Sequence, residues 1–177
     1  MTESNSKIIL LMRHAKAEEL QPEQLDEARE LTKAGEQQAK RVADFLSGQN
    51  LVPAQVLSSP YPRAQQSAEL VLKQLQKSAK VAKQLAVQQE AALALNAPVK
   101  QFQDLLSAQW PSLAGVSLWV SHEPNISRYL SRLLASKSTV YDIKKASVTA
   151  LQITKAEDSE QLMVKLLFTL PPKLMPK

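Results

Sequence analysis

Short apolar segments alternate with longer amphipathic segments along this chain, and this alternation restricts the possible folds more than any other feature. Short apolar runs bounded by charged or turn residues predict buried strands, at 8–12, 55–59, 116–121, 147–154 and 162–170, with a further short strand near 85–88. Apolar residues that recur every three or four positions predict helices between them, at 32–46, 62–77, 99–109 and 125–135. Such alternation favours an α/β three-layer sandwich, with helices on both faces of a mostly parallel sheet.

Length and composition are those of one domain with an aliphatic core. The chain has 177 residues, of which 44% are hydrophobic and only 5% aromatic, so Leu, Val, Ile and Ala must fill most of the interior. We predict a single domain over residues 1–177, with a core from about 8 to 170, a short polar N-terminus and a loose basic C-terminal tail. The chain has no cysteine, which excludes disulfides, thiolate metal sites and cysteine nucleophiles.

The N-terminal segment and the lengths of the apolar runs predict a cytoplasmic protein. Segment 1–7 is polar and precedes a very short apolar run, whereas a signal peptide needs a longer apolar region and a small-residue cleavage site. The apolar runs are also far shorter than the roughly 18 to 20 residues of a membrane span. We therefore expect neither secretion nor membrane insertion.

The excess of basic residues raises the question of an anionic partner. The formal net charge is +5, which attracts anions such as nucleic acids or phosphorylated substrates. Lysines make up 16 of the 22 basic residues, and they are scattered without interleaved aromatic residues that could stack on bases. This pattern is typical of solvated helix faces, so we expect no nucleic-acid partner.

The chain has only two histidines, and each follows an apolar strand segment. His14 comes directly after Arg13 at the end of the first predicted strand, and His122 comes directly after the strand at 116–121. Arg63 follows the second predicted strand after a short proline-containing turn. In open α/β sheets, ligands bind beyond the carboxyl ends of the strands. We therefore expect these four side chains to lie at one edge of the sheet.

Two histidines and two arginines in one site fit phosphoryl transfer. Arginine forks match phosphoryl oxygens and stay charged at any usable pH. One histidine can attack phosphorus and carry the phosphoryl group, while a second, if protonated, stabilises the negative charge of the transition state. Phosphoryl transfer needs mainly positioning and charge stabilisation, so we predict neither metal nor cofactor. The sequence also has no HxH or HExxH spacing and no GxSxG elbow.

Four motifs occur in order between about residues 8 and 153: LMRHAKAE, LTKAGEQQAKRVADFL, VLSSPYPRAQQSAEL and VSHEPNISRYL. They resemble the RHG or RHA signature, the LTxxGxxQA helix, the SSPxxRAxQTAE segment and the GHxP segment of the histidine phosphatase superfamily, also called phosphoglycerate mutase-like. The small size and the lack of a large insertion are most similar to the SixA-type protein-histidine phosphatases of bacteria. The resemblance implies the phosphoglycerate mutase-like α/β fold.

The resemblance also implies a role for each residue at a motif position. His14 would be the nucleophile that accepts the phosphoryl group. Arg13 and Arg63 would bind the phosphoryl oxygens. His122 would stabilise the transferred group. Arg29, in EARELTKAG, would be an accessory phosphate contact.

The choice of substrate depends on a proton donor. Larger superfamily members use an acidic residue to protonate an alkoxide leaving group, and Glu90 lies in the corresponding region without a donor motif around it. Imidazole leaves more easily than an alkoxide, so a sparse acid arrangement favours phosphohistidine as substrate. We expect a metal-independent phosphatase that removes phosphoryl groups from phosphohistidine in proteins, through a covalent intermediate. Its partners would be phosphotransfer domains or phosphocarriers of signalling relays.

Three other functions remain open at this level. A broad-specificity small-molecule phosphomonoesterase would depend strongly on an acid such as Glu90. A non-catalytic module that binds phosphoproteins would have no need of the nucleophile. A nucleic-acid-binding protein would bind duplex DNA strongly and in a salt-dependent manner.

Overall fold

A six-stranded sheet with helices on both faces forms the body of this computed structural model, which describes residues 6–78, 81–113, 115–136, 141–155 and 162–175. The strands are β1 (Ser6–Arg13), β2 (Gln55–Ser58), β3 (Val87–Gln89), β4 (Val116–Ser121), β5 (Val148–Lys155) and β6 (Leu162–Leu170). The helices are α1 (Lys33–Gly48), α2 (Pro62–Lys77), α3 (Val99–Gln109) and α4 (Asn125–Leu133). Within those ranges, none of the helices combines the length and the apolarity needed to cross a membrane.

The strand order in the sheet is β3-β2-β4-β1-β5-β6. The first four strands run parallel to one another, and β5 and β6 are added antiparallel at one side. The predicted α/β sandwich with a mostly parallel sheet is thus confirmed. Because β2, β4 and β1 are neighbours with the same direction, the residues that follow them meet at one edge.

The apolar run of β1 is continuous because both faces of the strand are buried. Leu10 and Met12 pack in the cluster formed with α1 and α2. Ile9 and Leu11 pack in the cluster formed with α3 and α4. This alternation follows from the two-residue period of a strand and produces the three layers.

The first turn of α1 packs against the chain that follows His14. Thr32 caps the helix as its sequence position predicts, since its hydroxyl accepts a hydrogen bond of 3.1 Å from the Gly35 N–H. The same hydroxyl donates to the Lys16 carbonyl at 3.0 Å. A Cβ at Gly35 would lie 2.1 Å from the Lys16 oxygen, so only glycine permits this approach. The helix thereby supports the backbone beside the candidate site.

The prediction of a loose C-terminal tail is wrong for residues 171–175. Pro172–Leu174 form a turn of 3-10 helix, and Met175 is only 3% exposed. Met175 belongs to the core cluster on the α1 and α2 side, and Arg41 donates a hydrogen bond to the Pro172 carbonyl. An apolar side chain near the chain end can pack against α1 despite its basic and proline neighbours, so the core extends beyond residue 170.

Candidate active site

The two histidines meet at the carboxyl edge of the sheet. Their ring centroids are 5.1 Å apart and their planes are tilted by 53°. The pairing of β1 with β4 explains this closeness, since the His14 N–H donates to the Ser121 carbonyl at 2.9 Å. The two residues are 6% and 1% exposed. The structure thus brings together side chains that are 108 positions apart in the sequence.

One backbone carbonyl orients the His14 ring. Nδ1 lies 2.8 Å from the Ala15 carbonyl oxygen, which can only accept, so Nδ1 carries the proton and Nε2 carries the lone pair. Burial lowers the pKa of His14 to about 3, and the positive charges of Arg63, Arg13 and Lys145 act in the same direction. His14 is therefore neutral near pH 7, with Nε2 available as a nucleophile.

His122 is held by a hydroxyl and an aromatic ring. Its Nε2 lies 2.8 Å from the Ser59 hydroxyl oxygen, and its ring centroid is 5.2 Å from that of Tyr61. Burial lowers its pKa, and the neighbouring His14 and Arg63 lower it further. Because a hydroxyl can donate or accept, Ser59 suits both the neutral and the protonated ring.

Arg63 is anchored at the start of α2 and is engaged by a loop carboxylate. Its guanidinium donates through Nη2 to Asp26 Oδ2 at 2.8 Å and through Nη1 to the Asp26 backbone carbonyl. Its Nε is buried without a hydrogen-bond partner in the described part of the chain. Partial burial opposes ionisation of Asp26, but hydrogen bonds and charges from Arg29 and Arg63 outweigh it and lower the pKa. An ionised carboxylate therefore occupies one side of Arg63.

Arg29 lies on the same loop but does not pair with the histidines in this structure. Its Nη1 is 2.7 Å from Asp26 Oδ1, and its Nε donates to the Glu18 carbonyl at 2.8 Å. Asp26 therefore bridges Arg29 and Arg63. This geometry assigns Arg29 to holding the loop beside Arg63, while a direct phosphate contact stays a prediction.

Arg13 is held by the segment that precedes β5. Its Nη1 donates to the Ile143 carbonyl at 2.7 Å, whereas its buried Nε has no partner among the described residues. Burial lowers its pKa, and the carboxylates of Glu123 and Asp142 act against that change. Because a guanidinium stays protonated at any usable pH, Arg13 remains a cation beside His14.

Glu90 lies at the same edge of the sheet, directly after β3. Its N–H donates to the Ser58 carbonyl at 2.8 Å, next to Ser59, and the residue is half-buried. Within the described ranges, its carboxylate forms no hydrogen bond or ion pair. The backbone position agrees with the prediction, but the side-chain contacts do not identify a proton donor.

Sequence reasoning missed four residues of this site, and strand pairing explains the position of one of them, Lys145. Ser67 on α2 accepts a hydrogen bond of 2.9 Å from the Ala15 N–H, so it helps to fix the turn after His14. Lys145 reaches the site because β5 is antiparallel to β1, which brings the residues before β5 to the carboxyl end of β1. Ser59 and Asp26 lie in loops. Of these two, only Ser59 had a signal, since it lies in the same motif as Arg63.

The site therefore contains a neutral imidazole that can act as a nucleophile, a second imidazole and several surrounding cations. Arg13, Arg63 and Lys145 all act electrostatically on His14. Cations and hydrogen-bond donors around one nucleophilic nitrogen suit an anion with phosphoryl geometry. Among the described residues, no group of three or more His, Asp or Glu side chains is placed to hold a metal ion.

Comparisons with known proteins show what this chain is similar to. The model of the histidine phosphatase superfamily (branch 1) matches residues 9–94, while no curated protein sequence matches the chain. Among solved structures, a protein histidine phosphatase SixA complexed with tungstate superposes with a TM-score of 0.74 at 22% identity, covering 94% of this chain and 97% of that chain. SixA of Agrobacterium tumefaciens gives 0.69 at 21% identity, over 94% and 99% of the two chains.

Sugar phosphatases are also among the similar structures. A mycobacterial glucosyl-3-phosphoglycerate phosphatase with inorganic phosphate gives a TM-score of 0.67 at 18% identity, covering 95% of this chain and 99% of that chain. At such identities these structures establish a shared fold rather than a shared substrate. Residues 9–94 match the histidine phosphatase superfamily, and the fold and the paired histidines agree with that match.

Proposed function

We propose that this protein is a metal-independent phosphatase that removes the phosphoryl group from phosphohistidine in a partner protein. The observation that carries this proposal is the pairing of a neutral, oriented His14 with His122, at 5.1 Å between ring centroids. A phosphatase of this superfamily needs a nucleophile whose lone pair faces the incoming phosphorus. The Ala15 carbonyl supports that role for Nε2 of His14, because it holds the proton on Nδ1.

The first step transfers the phosphoryl group to His14. Nε2 attacks phosphorus, a new N–P bond forms, and the N–P bond of the substrate breaks. The electron pair of the broken bond stays on the substrate imidazole, which takes up a proton from solvent. Arg13 and Arg63 are the cations placed to hold the phosphoryl oxygens during this transfer.

The second step returns the enzyme to its starting state. Water adds to phosphorus, the bond to His14 breaks with its electron pair returning to Nε2, and inorganic phosphate leaves. A doubly negative phosphoryl group beside His122 favours the protonated ring. Its negative charge raises the pKa of His122 and so offsets the burial that lowers it. Its Ser59 partner accepts the additional N–H, so His122 can stabilise the charge of the transition state.

Phosphohistidine is favoured over phosphoesters because neither Glu90 nor Asp26 is arranged as a proton donor. An alkoxide leaving group needs a proton donor, whereas imidazole needs less assistance. The carboxylate of Glu90 has no hydrogen bond that orients it within the described residues, and Asp26 is held ionised by two arginines. A protein substrate would be a phosphotransfer domain or phosphocarrier, and we therefore expect the enzyme to act in the cytoplasm.

The second candidate is a phosphomonoesterase with small-molecule substrates. The similarity to the mycobacterial glucosyl-3-phosphoglycerate phosphatase favours it. This alternative requires a proton donor, for which Glu90 has the suitable position at the sheet edge. Under it, Glu90→Gln would strongly reduce turnover of phosphoesters.

The deciding experiment measures phosphate release from a histidine-phosphorylated phosphocarrier and from p-nitrophenyl phosphate, with EDTA present. We expect wild type to act much faster on the phosphoprotein, and His14→Ala to be inactive and to trap no labelled phosphate, whereas wild type traps it. His122→Ala, with the same change at the second histidine, should retain His14 labelling but form it more slowly. Equal kcat/KM on both substrates would favour the phosphomonoesterase, and no release from either would contradict both.

A further inference from the structure

A groove lined by basic residues borders the candidate active site. It has a volume of about 850 Å³ and is formed by the first half of α1, the turn before β5 and the segment after β6. The lining residues that are not basic are alanine, glutamine and proline. Five are basic: Arg13, Arg41, Lys144, Lys145 and Lys173. We call this feature the basic groove.

Positive charge in the basic groove is little compensated. Among the residues that the structure describes, no acidic residue lines it, and an ion pair at its margin joins Lys144 Nζ to Asp142 at 2.7 Å. Burial lowers the pKa of Lys145, and the nearby Arg13 and Arg29 lower it further, which shows that cations crowd this side of the molecule. Five cations lie here in a chain whose net charge is +5. Such a concentration attracts and orients anionic groups.

The basic groove is continuous with the candidate active site. Arg13 lines the groove and directly precedes His14 in the chain, and Lys145 lies close enough to lower the pKa of His14. A phosphoryl group on His14 would use Arg13 and Arg63, which leaves Arg41, Lys144 and Lys173 without a role in the reaction. These three side chains are therefore placed beside the site, where another part of a larger substrate could contact them.

Apolar side chains around the same edge favour a protein as the occupant. Leu174, next to Lys173, is 63% exposed. Leu25 is 71% exposed on the loop whose Asp26 contacts Arg63, and Leu20 on that loop is also exposed. Leucines beside cations match a protein surface, in which apolar and acidic residues occur together, better than a nucleic-acid backbone or a small polyanion.

We propose that the basic groove docks an acidic surface segment of the phosphorylated partner protein, beside its phosphohistidine. The inference rests on the proposed function, and it names the surface by which that substrate is chosen. Asp and Glu side chains of the partner pair with Arg41, Lys144 and Lys173 while the phosphohistidine reaches His14. Charges at the rim of an interface act mainly on encounter and partner choice, so they affect KM more than the chemical step.

A charge-reversal pair with a matched control tests the proposal. Lys144→Glu with Lys173→Glu alters the groove at two exposed positions. Lys77→Glu with Lys83→Glu makes the same charge change at the far end of α2, about 20 Å from Arg63 at a rise of about 1.5 Å per residue. The substrates are the histidine-phosphorylated phosphocarrier and the phosphoramidate ion, which is too small to contact Lys144 and Lys173 while its phosphorus is at His14.

The groove pair should raise KM for the phosphoprotein about tenfold or more at low salt, with kcat and phosphoramidate turnover unchanged. Wild-type KM should also rise with salt, and the control pair should behave as wild type. An equal loss in both pairs would show a non-specific charge effect, and an equal loss on phosphoramidate would show damage to the active site. Either result, or no loss in the groove pair, overturns the proposal.

A binding measurement separates this inference from the proposed function. Fluorescent polyglutamate peptide should bind wild type and the control pair, and lose affinity for the groove pair. If wild type binds the peptide in this way but releases no phosphate from the phosphoprotein, the proposed function fails and the acidic docking surface stands. Equally tight binding of duplex DNA at the same salt concentration would assign the groove to nucleic acid and overturn the docking of an acidic protein.

Discussion

Asp26 decides how freely Arg63 can take an anion. Its carboxylate contacts Arg63 and Arg29, and its backbone carbonyl accepts a further hydrogen bond from Arg63. A phosphoryl group that approaches Arg63 therefore meets a like charge. At about 4 Å, with the Asp26 carboxylate partly exposed to water, such repulsion costs on the order of 1 kcal/mol or more. In the free protein, the Asp26 carboxylate thus lowers the affinity of Arg63 for phosphate and at the same time holds Arg63 in a defined position.

Replacement Asp26→Asn should strengthen inhibition by inorganic phosphate about fivefold, because it removes the repelling charge and keeps an oxygen acceptor for Arg63. The inhibition constant against a phosphohistidine substrate measures this. Glu27→Gln is the matched control, since Glu27 contacts the Tyr61 hydroxyl at 3.2 Å. Weaker phosphate inhibition in Asp26→Asn would mean that the carboxylate mainly positions the arginine.

Burial of two neutral histidines makes stability depend on pH. The pKa values of His14 and His122 are lowered in the folded protein, so below about pH 6.5 the unfolded chain binds protons that the folded chain does not. The free energy of unfolding should therefore fall as pH falls, by about 2 kcal/mol for each histidine at about pH 5. Urea unfolding above pH 6.5 and at about pH 5 measures this decrease in the free energy of unfolding. A double variant His14→Gln, His122→Gln with the same pH slope as wild type would contradict this explanation.

At the scale of elements, the site depends on where α1 and α2 begin. The first turn of α1 lies against Lys16, and Ser67 of α2 bonds to Ala15, so both helices hold the two residues after His14. The Ser67 hydroxyl also donates to the Arg63 carbonyl at 2.6 Å. His14 and Arg63 are therefore positioned by one connected set of contacts to the backbone.

Gly35→Ala should destabilise the protein by about 1–3 kcal/mol and lower kcat, because the added methyl group would collide with the Lys16 carbonyl. The same substitution at Gly48, the last residue of α1, has nothing within 4 Å of its Cβ. Gly48→Ala should be neutral or slightly stabilising. Thermal unfolding and turnover of both variants check the pair, and equal effects would refute the argument from close approach.

At the scale of the whole molecule, the C-terminal segment belongs to the structure that supports the site. It packs Met175 into the core on the α1 side and brings Lys173 to the basic groove. Most of the positive charge of the chain comes from lysines, whose spacing is typical of solvated helix faces. In the folded protein, some of these lysines lie together at the basic groove. The one-dimensional pattern could not show this, because the groove joins segments from three parts of the chain.

Met175→Ala should lower the free energy of unfolding by about 2–4 kcal/mol, since a large buried side chain is lost from a packed core. The neighbouring Leu174→Ala should change it by less than about 0.5 kcal/mol, because Leu174 is exposed. Denaturant unfolding of both variants measures the difference. Similar small values would mean that the last residues pack loosely.

The sequence by itself determined the order of the elements and the four residues Arg13, His14, Arg63 and His122, because apolar periodicity and strand-end position are local properties. The antiparallel addition of β5 and β6, the contact of Asp26 with Arg63 and the place of Lys145 were decided only by the tertiary structure. Strand pairing joins distant segments, and loop side chains follow no period that a sequence displays. The closeness of the two histidines was therefore predictable, whereas the charged residues around them and the basic groove were visible only in the folded chain.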